Sequence, residues 1–142
     1  MLNINAIVAV TEEATSTLTL PFELRQRTRQ RLRLDDGREA ALSLPRGRVL
    51  RGGDRLRADT GEIIVVAAAI EEVSTAFSAD PVQLARAAYH LGNRHVRIQA
   101  GSGWLRYSTD HVLDNMLVEM GLHIAHETAP FEPEAGAYRG DD

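Results

Sequence analysis

Five histidines must carry any transition-metal chemistry in this 142-residue chain, because it contains no cysteine. Thiolate zinc sites, iron–sulfur sites and disulfides are thereby excluded. Two of the five stand where helices are expected to end or begin. His95 closes the run Gly92-Asn93-Arg94-His95 after a helix-like segment, and His111 follows Asp110 at the start of the next helix. Helix termini and loops hold functional side chains exposed on a rigid support. For His95 two readings stand. It is a metal ligand whose second ring nitrogen is fixed by a neighbour, or a basic residue that, like Arg94, bonds the last helix carbonyls. For His111, the positive helix N-terminus disfavours imidazolium and favours the neutral, metal-binding ring. The plain alternative is an ordinary, partly exposed residue.

Neither histidine closes a site by itself. A tight transition-metal site takes four or more ligands, or three plus water for zinc. The chain has no His-x-His pair, and no His-x-x-x-His on a helix. His90 points away from His95 if the helix ends at Leu91. His123 and His126, three apart on an expected strand, face opposite sides. A two-fold dimer would bring two copies of one histidine together in a shared, exchange-labile site, which suits a carrier.

The elements that must position these residues change style along the chain. The first half reads as β: Ile4 to Val10, Leu18 to Leu20, an extended arginine-rich run from Arg25 to Leu34, then a hairpin signal at Asp35-Asp36-Gly37 and a return over Glu39 to Leu44. A further strand is expected around Val49-Leu50, and no helix in this half. Ile63 to Val73 is a continuous apolar run of strand type. Asp80-Pro81 then caps and opens a helix with Leu84, Ala87, Ala88 and Leu91 on one face. Gly92 or Asn93 is the expected left-handed residue that ends it. Short strands over Val96 to Ala100 and Trp104 to Tyr107 lead to a second helix, capped by Thr109 or Asp110 and ended by Gly121, and to a last strand over Leu122 to Thr128. The order β-α-β-β-α-β is the ferredoxin-like arrangement. The fold class is therefore α+β: a small antiparallel β domain over residues 1–74 and a ferredoxin-like domain over 75–142, with a loosely held tail from Pro130 onward.

Composition narrows the function classes. The net charge is −4. Residues 1–73 balance eleven arginines against eleven acidic residues, while residues 74–142 hold all five histidines and carry the whole excess of acid. That half suits a cationic partner better than a polyanion. In one extended strand Arg25, Arg27, Arg29, Arg31 and Arg33 would share a face, which raises RNA binding. A solvated edge facing Glu12, Glu13, Asp54 and Asp59 is the competing reading, and no RNA-binding motif is present. No GxSxG, P-loop or GxGxxG occurs, so an enzyme is not expected. No apolar run approaches the roughly 20 residues that span a bilayer, and the start lacks a basic secretory region. A cytoplasmic protein with neither membrane nor nucleic acid as partner is expected.

Several fragments in shared order resemble one family, the urease accessory nickel metallochaperones (UreE). They are Leu18-Thr19-Leu20-Pro21-Phe22-Glu23-Leu24-Arg25, Leu34-Asp35-Asp36-Gly37-Arg38, Leu44-Pro45-Arg46-Gly47, Leu50-Arg51-Gly52-Gly53-Asp54, Leu91-Gly92-Asn93-Arg94-His95, Asp110-His111-Val112-Leu113-Asp114-Asn115-Met116-Leu117 and Phe131 to Tyr138. The resemblance implies an N-terminal domain similar to a chaperone peptide-binding domain and a ferredoxin-like metal-binding domain. It implies a homodimer through the second domain, with His95 of both subunits holding one Ni2+ and His111 as a peripheral ligand. It further implies delivery of nickel to the urease apoprotein with an accessory GTPase as partner. Zn2+ or Cu2+ would also bind such donors in vitro. Two departures stand out. Thr109 occupies a position that is histidine in some members, and the chain ends Tyr138-Arg139-Gly140-Asp141-Asp142 instead of in a histidine-rich tail. The competing classes are a protein-interaction module whose histidines cap helices, and RNA binding through the arginine face.

Overall fold

Period-two alternation governs residues 1–69 in the computed structural model, which describes residues 1–135. The strands β1 (Leu2–Val8), β2 (Ser16–Leu20), β3 (Arg29–Arg33), β4 (Glu39–Ser43), β5 (Arg55–Ala58) and β6 (Ile63–Ala68) form one sheet in the order β2-β6-β5-β1-β4-β3. Alternate residues such as Ile4, Leu18, Leu42, Leu56, Ile64 and Val66 turn inward to one buried cluster. The sheet is mixed. β3–β4, β1–β5 and β5–β6 are antiparallel as expected, but β1–β4 and β2–β6 are parallel. Turn signals announce hairpins, whereas parallel partners meet only through long connections that leave no local mark. Gly37 takes the left-handed conformation of the β3–β4 turn (φ 92°). That turn folds onto β2, where Asp35 accepts from the Thr19 amide at 3.0 Å and Arg38 reaches Ser16 and Glu62.

The arginine run does not form one strand. Residues Phe22–Arg25 make a short helix, α1, and Arg25 is wholly buried, donating to the Leu20 and Leu50 carbonyl oxygens at 3.0 and 3.1 Å. Arg33 pairs with Glu39 and Arg27 with Glu23, not with Glu12, Glu13, Asp54 or Asp59. The exposed stripe reduces to Arg29, Arg31 and Arg33 on β3. No strand forms at Val49-Leu50. Leu50 is instead a buried plug whose amide bonds the Arg25 carbonyl.

The apolar run 63–73 is divided between two compact units, one containing Met1–Ala69 and the other Ile70–Glu134. The second unit begins with β7 (Ile70–Phe77), and continues through α2 (Pro81–Asn93), β8 (Gln99–Gly101), β9 (Trp104–Ser108), α3 (His111–Glu119) and β10 (His123–Pro130). The expected division between residues 74 and 75 falls inside β7, whose eight residues all pair with β10. No glycine or proline marks the switch at Ala69. The strand order β10-β7-β9-β8, antiparallel throughout, is the ferredoxin-like sheet. Both helices pack on one core with it, through Ala87 and Leu91 of α2 and Leu113 and Leu117 of α3. The segment after β10 is tied down as far as it is described. Phe131 is buried, and the Glu132 and Glu134 amides donate to Gln99 and to the Ile98 carbonyl at 3.0 and 2.7 Å. An extended segment that buries an aromatic ring and satisfies its amides is not a loose tail. The remaining tail, with Tyr138, Asp141 and Asp142, lies outside the described residues.

Candidate metal centre

Both helices of the second unit end with the same pair of backbone hydrogen bonds. At the end of α2 the His95 amide bonds the Gly92 carbonyl at 2.9 Å, and the Val96 amide bonds the Leu91 carbonyl at 3.0 Å. At the end of α3 the Gly121 amide bonds Val118 at 2.9 Å, and the Leu122 amide bonds Leu117 at 3.0 Å. This ending requires a left-handed residue just after the cap. In α3 that residue is Gly121 (φ 97°); in α2 it is His95 (φ 59°), which has the only positive φ of any non-glycine among the described residues. The expectation of Gly92 or Asn93 is corrected: the helix runs through both, and Arg94 is its cap. Burial of Leu91 and partial burial of Val96 against the same core set where the helix must stop. A left-handed conformation costs a residue with a Cβ about 1–2 kcal/mol. Such strain gathers at functional positions, and histidine is among the residues that tolerate the conformation best. The His95 side chain is exposed, and its imidazole bonds nothing among the described residues. The helix end is thus closed by the His95 backbone, leaving the ring free.

His111 is the first residue of α3 and is exposed. Asp110, not Thr109, is the cap, its carboxylate accepting from the Val112 and Leu113 amides at 2.9 and 3.1 Å. Gln83 near the start of α2 donates to the Met120 carbonyl at the end of α3 at 2.7 Å. The helices follow β7 and β9, which run antiparallel. The last turn of α2 and the first of α3 therefore point to the same end of the unit, so His95 and His111 share that end. They do not make an enclosed site there: among the described residues no three His, Asp or Glu side chains are grouped to hold a metal ion. His90 stands exposed against the Tyr89 ring, and His123 is exposed at the start of β10.

The fifth histidine belongs to a cluster that sequence reasoning missed. His126 Nε2 lies 2.7 Å from Asp114 Oδ2, and the Tyr107 hydroxyl donates to Asp114 Oδ1 at 2.6 Å. Asp114 and Tyr107 are buried. Ser74 stands directly opposite both Tyr107 and His126 in the sheet, its hydroxyl buried without a well-formed hydrogen bond. Burial by itself would raise the Asp114 carboxyl. The Tyr107, His126 and Ser74 groups outweigh it and hold Asp114 below the usual carboxylate range. Burial first, and then the Asp114 charge, push the Tyr107 hydroxyl above its ordinary value. One signal was present in the sequence: Asp114 falls on the apolar face of α3 between Leu113 and Leu117, where a lone carboxylate must find donors.

Comparison with known proteins agrees with this division of the chain. Residues 2–69 match the UreE urease accessory protein N-terminal domain, and residues 71–142 match the C-terminal domain. The chain is 57% identical over 127 residues to the urease accessory protein UreE of Alkalilimnicola ehrlichii, covering 89% of this chain and 78% of that one. It is 49% identical over 142 residues to the UreE of Citrobacter koseri, covering 99% and 93% of the two chains. An Enterobacter UreE is 56% identical over 128 residues, with 89% and 84% covered.

Proposed function

The chain belongs to the UreE family of urease accessory proteins, and from that premise we propose that it is a nickel carrier whose working ligand is His95. The observation that carries this reading is a left-handed His95 at a helix end, where glycine would be relaxed, with an exposed imidazole that bonds nothing among the described residues. A helix-capping role would be served by the backbone alone. Among the described residues fewer than three donors are grouped, and a second copy would close the site. A two-fold axis beside His95 doubles the imidazole and leaves a site open enough to release its cargo. His111, toward the same end, is the secondary ligand. Nickel is cargo here, not a resident cofactor, and no enzymatic step is assigned. Its recipients are the urease apoprotein and an accessory GTPase, in the cytoplasm. No helix among the described residues is long and apolar enough to cross a membrane. The first unit, resembling a chaperone peptide-binding domain, serves partner contact. Of its arginine run, Arg25 is buried and Arg27 and Arg33 are paired, which leaves Arg29 and Arg31 on β3 as a small cationic surface for a polyanion.

Calorimetric nickel titration with mass detection of the assembly tests the reading. One nickel per dimer is expected in the parent protein, with loss of tight binding in His95→Ala and a weaker effect in His111→Ala. Tight binding that survives His95→Ala would remove His95 from the site.

A further inference from the structure

The Tyr107–Asp114–His126 cluster includes neither His95 nor His111, yet it orients an imidazole in the way metal sites do. A carboxylate only accepts, so the proton between His126 and Asp114 sits on His126 Nε2. The second Asp114 oxygen is occupied by the Tyr107 hydroxyl, which keeps the carboxylate from turning away. In the neutral ring the lone pair then rests on Nδ1. The His126 side chain is 57% exposed, and it lines a hollow of about 400 Å³ together with Glu72, Thr109, Glu127 and Thr128.

The strand register says which carboxylate shares that face. His126 stands opposite Ser74 and Thr128 opposite Glu72. Glu72 is thus the diagonal neighbour of His126, on the same side of the sheet and within reach of a long side chain. Glu127 is adjacent in sequence, so it projects from the other face, where it meets Arg106 at 3.8 Å. Thr109 bonds the Glu72 carbonyl through its amide, which places the hollow beside the start of α3.

We propose that His126 Nδ1 and the Glu72 carboxylate form an open, low-affinity site for a divalent transition cation, with water completing the coordination. Buried carboxylates that accept from the non-ligating nitrogen fix the tautomer and raise the basicity of metal-binding histidines. The Asp114–His126 pair supplies that support in advance. Two protein donors without a third make a weak site that exchanges quickly. The site lies within one chain and holds whether or not His95 is shared.

The test is zinc chloride titration of the His95→Ala variant, following the ring nitrogens of His126 by 15N NMR. The His95→Ala background removes the shared site, so failure of either reading is seen separately. The His126 Nδ1 signal should move with added zinc. Affinity should fall about 10–100-fold in Asp114→Asn and measurably in Glu72→Gln. Because Glu72 is exposed, its variant remains informative if Asp114→Asn does not fold. An Nδ1 signal unmoved at millimolar zinc, or an affinity unchanged by both substitutions, would overturn the proposal and leave the cluster as a latch between α3 and β10.

Discussion

Replacing His95 by glycine should make the metal-free protein more stable while removing its working ligand. The left-handed conformation at His95 costs about 1–2 kcal/mol for a residue with a Cβ. Glycine escapes that cost but has roughly 0.5–1 kcal/mol more chain entropy to lose on folding. The difference leaves His95→Gly more stable by about 0.5–1 kcal/mol. For a cooperative unit of this size that corresponds to roughly 2–8 °C in Tm. His95→Ala keeps the Cβ and the strain, and its stability should stay within about 0.5 kcal/mol of the parent. The informative quantity is the gap between the two variants, because both lack the imidazole and differ only in backbone freedom. Urea unfolding followed by circular dichroism in chelator, at one fixed protein concentration, measures it with metal linkage removed and assembly linkage held the same for both variants. Gly121, the equivalent position in α3, supplies the reverse experiment. Gly121→Ala places a Cβ on a residue at φ 97° and 2.6 Å from Gln83 Nε2. It should lose about 1–2 kcal/mol from strain, and more if the Gln83 bond to Met120 breaks. If His95→Gly is no more stable than His95→Ala, the helix end carries no stored strain, and the argument from strain to function fails.

Three other outcomes follow from the packing. Tyr107→Phe removes one of the two donors to a buried carboxylate and should cost about 1.5–3 kcal/mol at neutral pH; a urea midpoint unchanged within error would mean Asp114 is held by other groups. Glu62 is held down to about 2, from an ordinary 4.5, by hydrogen bonds from Arg38 and then Ser16. A lowered carboxylate stabilises above its unfolded value, and the contribution disappears as pH falls from 4.5 toward 2. Glu62→Gln should therefore be less stable than the parent at pH 7, with the gap closing toward pH 2; a gap independent of pH would exclude the ion pair as its source. Arg25→Met takes a side-chain donor from the buried Leu50 carbonyl and one of two donors from the Leu20 carbonyl, which keeps the Ala69 amide at 3.0 Å; it should cost about 1–3 kcal/mol, and a denaturation curve matching the parent would show that the Leu50 carbonyl finds another partner.

Local chemistry was legible along the chain. Asp80 with Pro81, and Asp110 before His111, announce helix starts because a cap is a contact between residues two or three apart. Asp36-Gly37 announces the β3–β4 turn for the same reason. The order of strands and helices in the second unit follows from those signals and from periodicity. The lack of cysteine confines metal chemistry to histidine and carboxylate. His95 and His111 could be nominated from the sequence because helix ends are visible in it.

Tertiary structure decided what depends on partners distant in sequence. The apolar run 63–73 could have been one strand; its division at Ala69 is imposed by the two sheets that claim its halves. Arg25 reads as one of an arginine series, and only the approach of Leu50 makes it a buried donor. His95, not Gly92, is left-handed because Leu91 and Val96 must both reach the core, and that sets the length of α2. His126, Asp114 and Tyr107 come from β10, α3 and β9, and their meeting depends on strand register, which no single segment contains. Caps, turns and periodicity are properties of short stretches and so belong to the sequence. Register, burial of a charge and the exact end of a helix are settled by which surfaces exclude water together, and so belong to the fold.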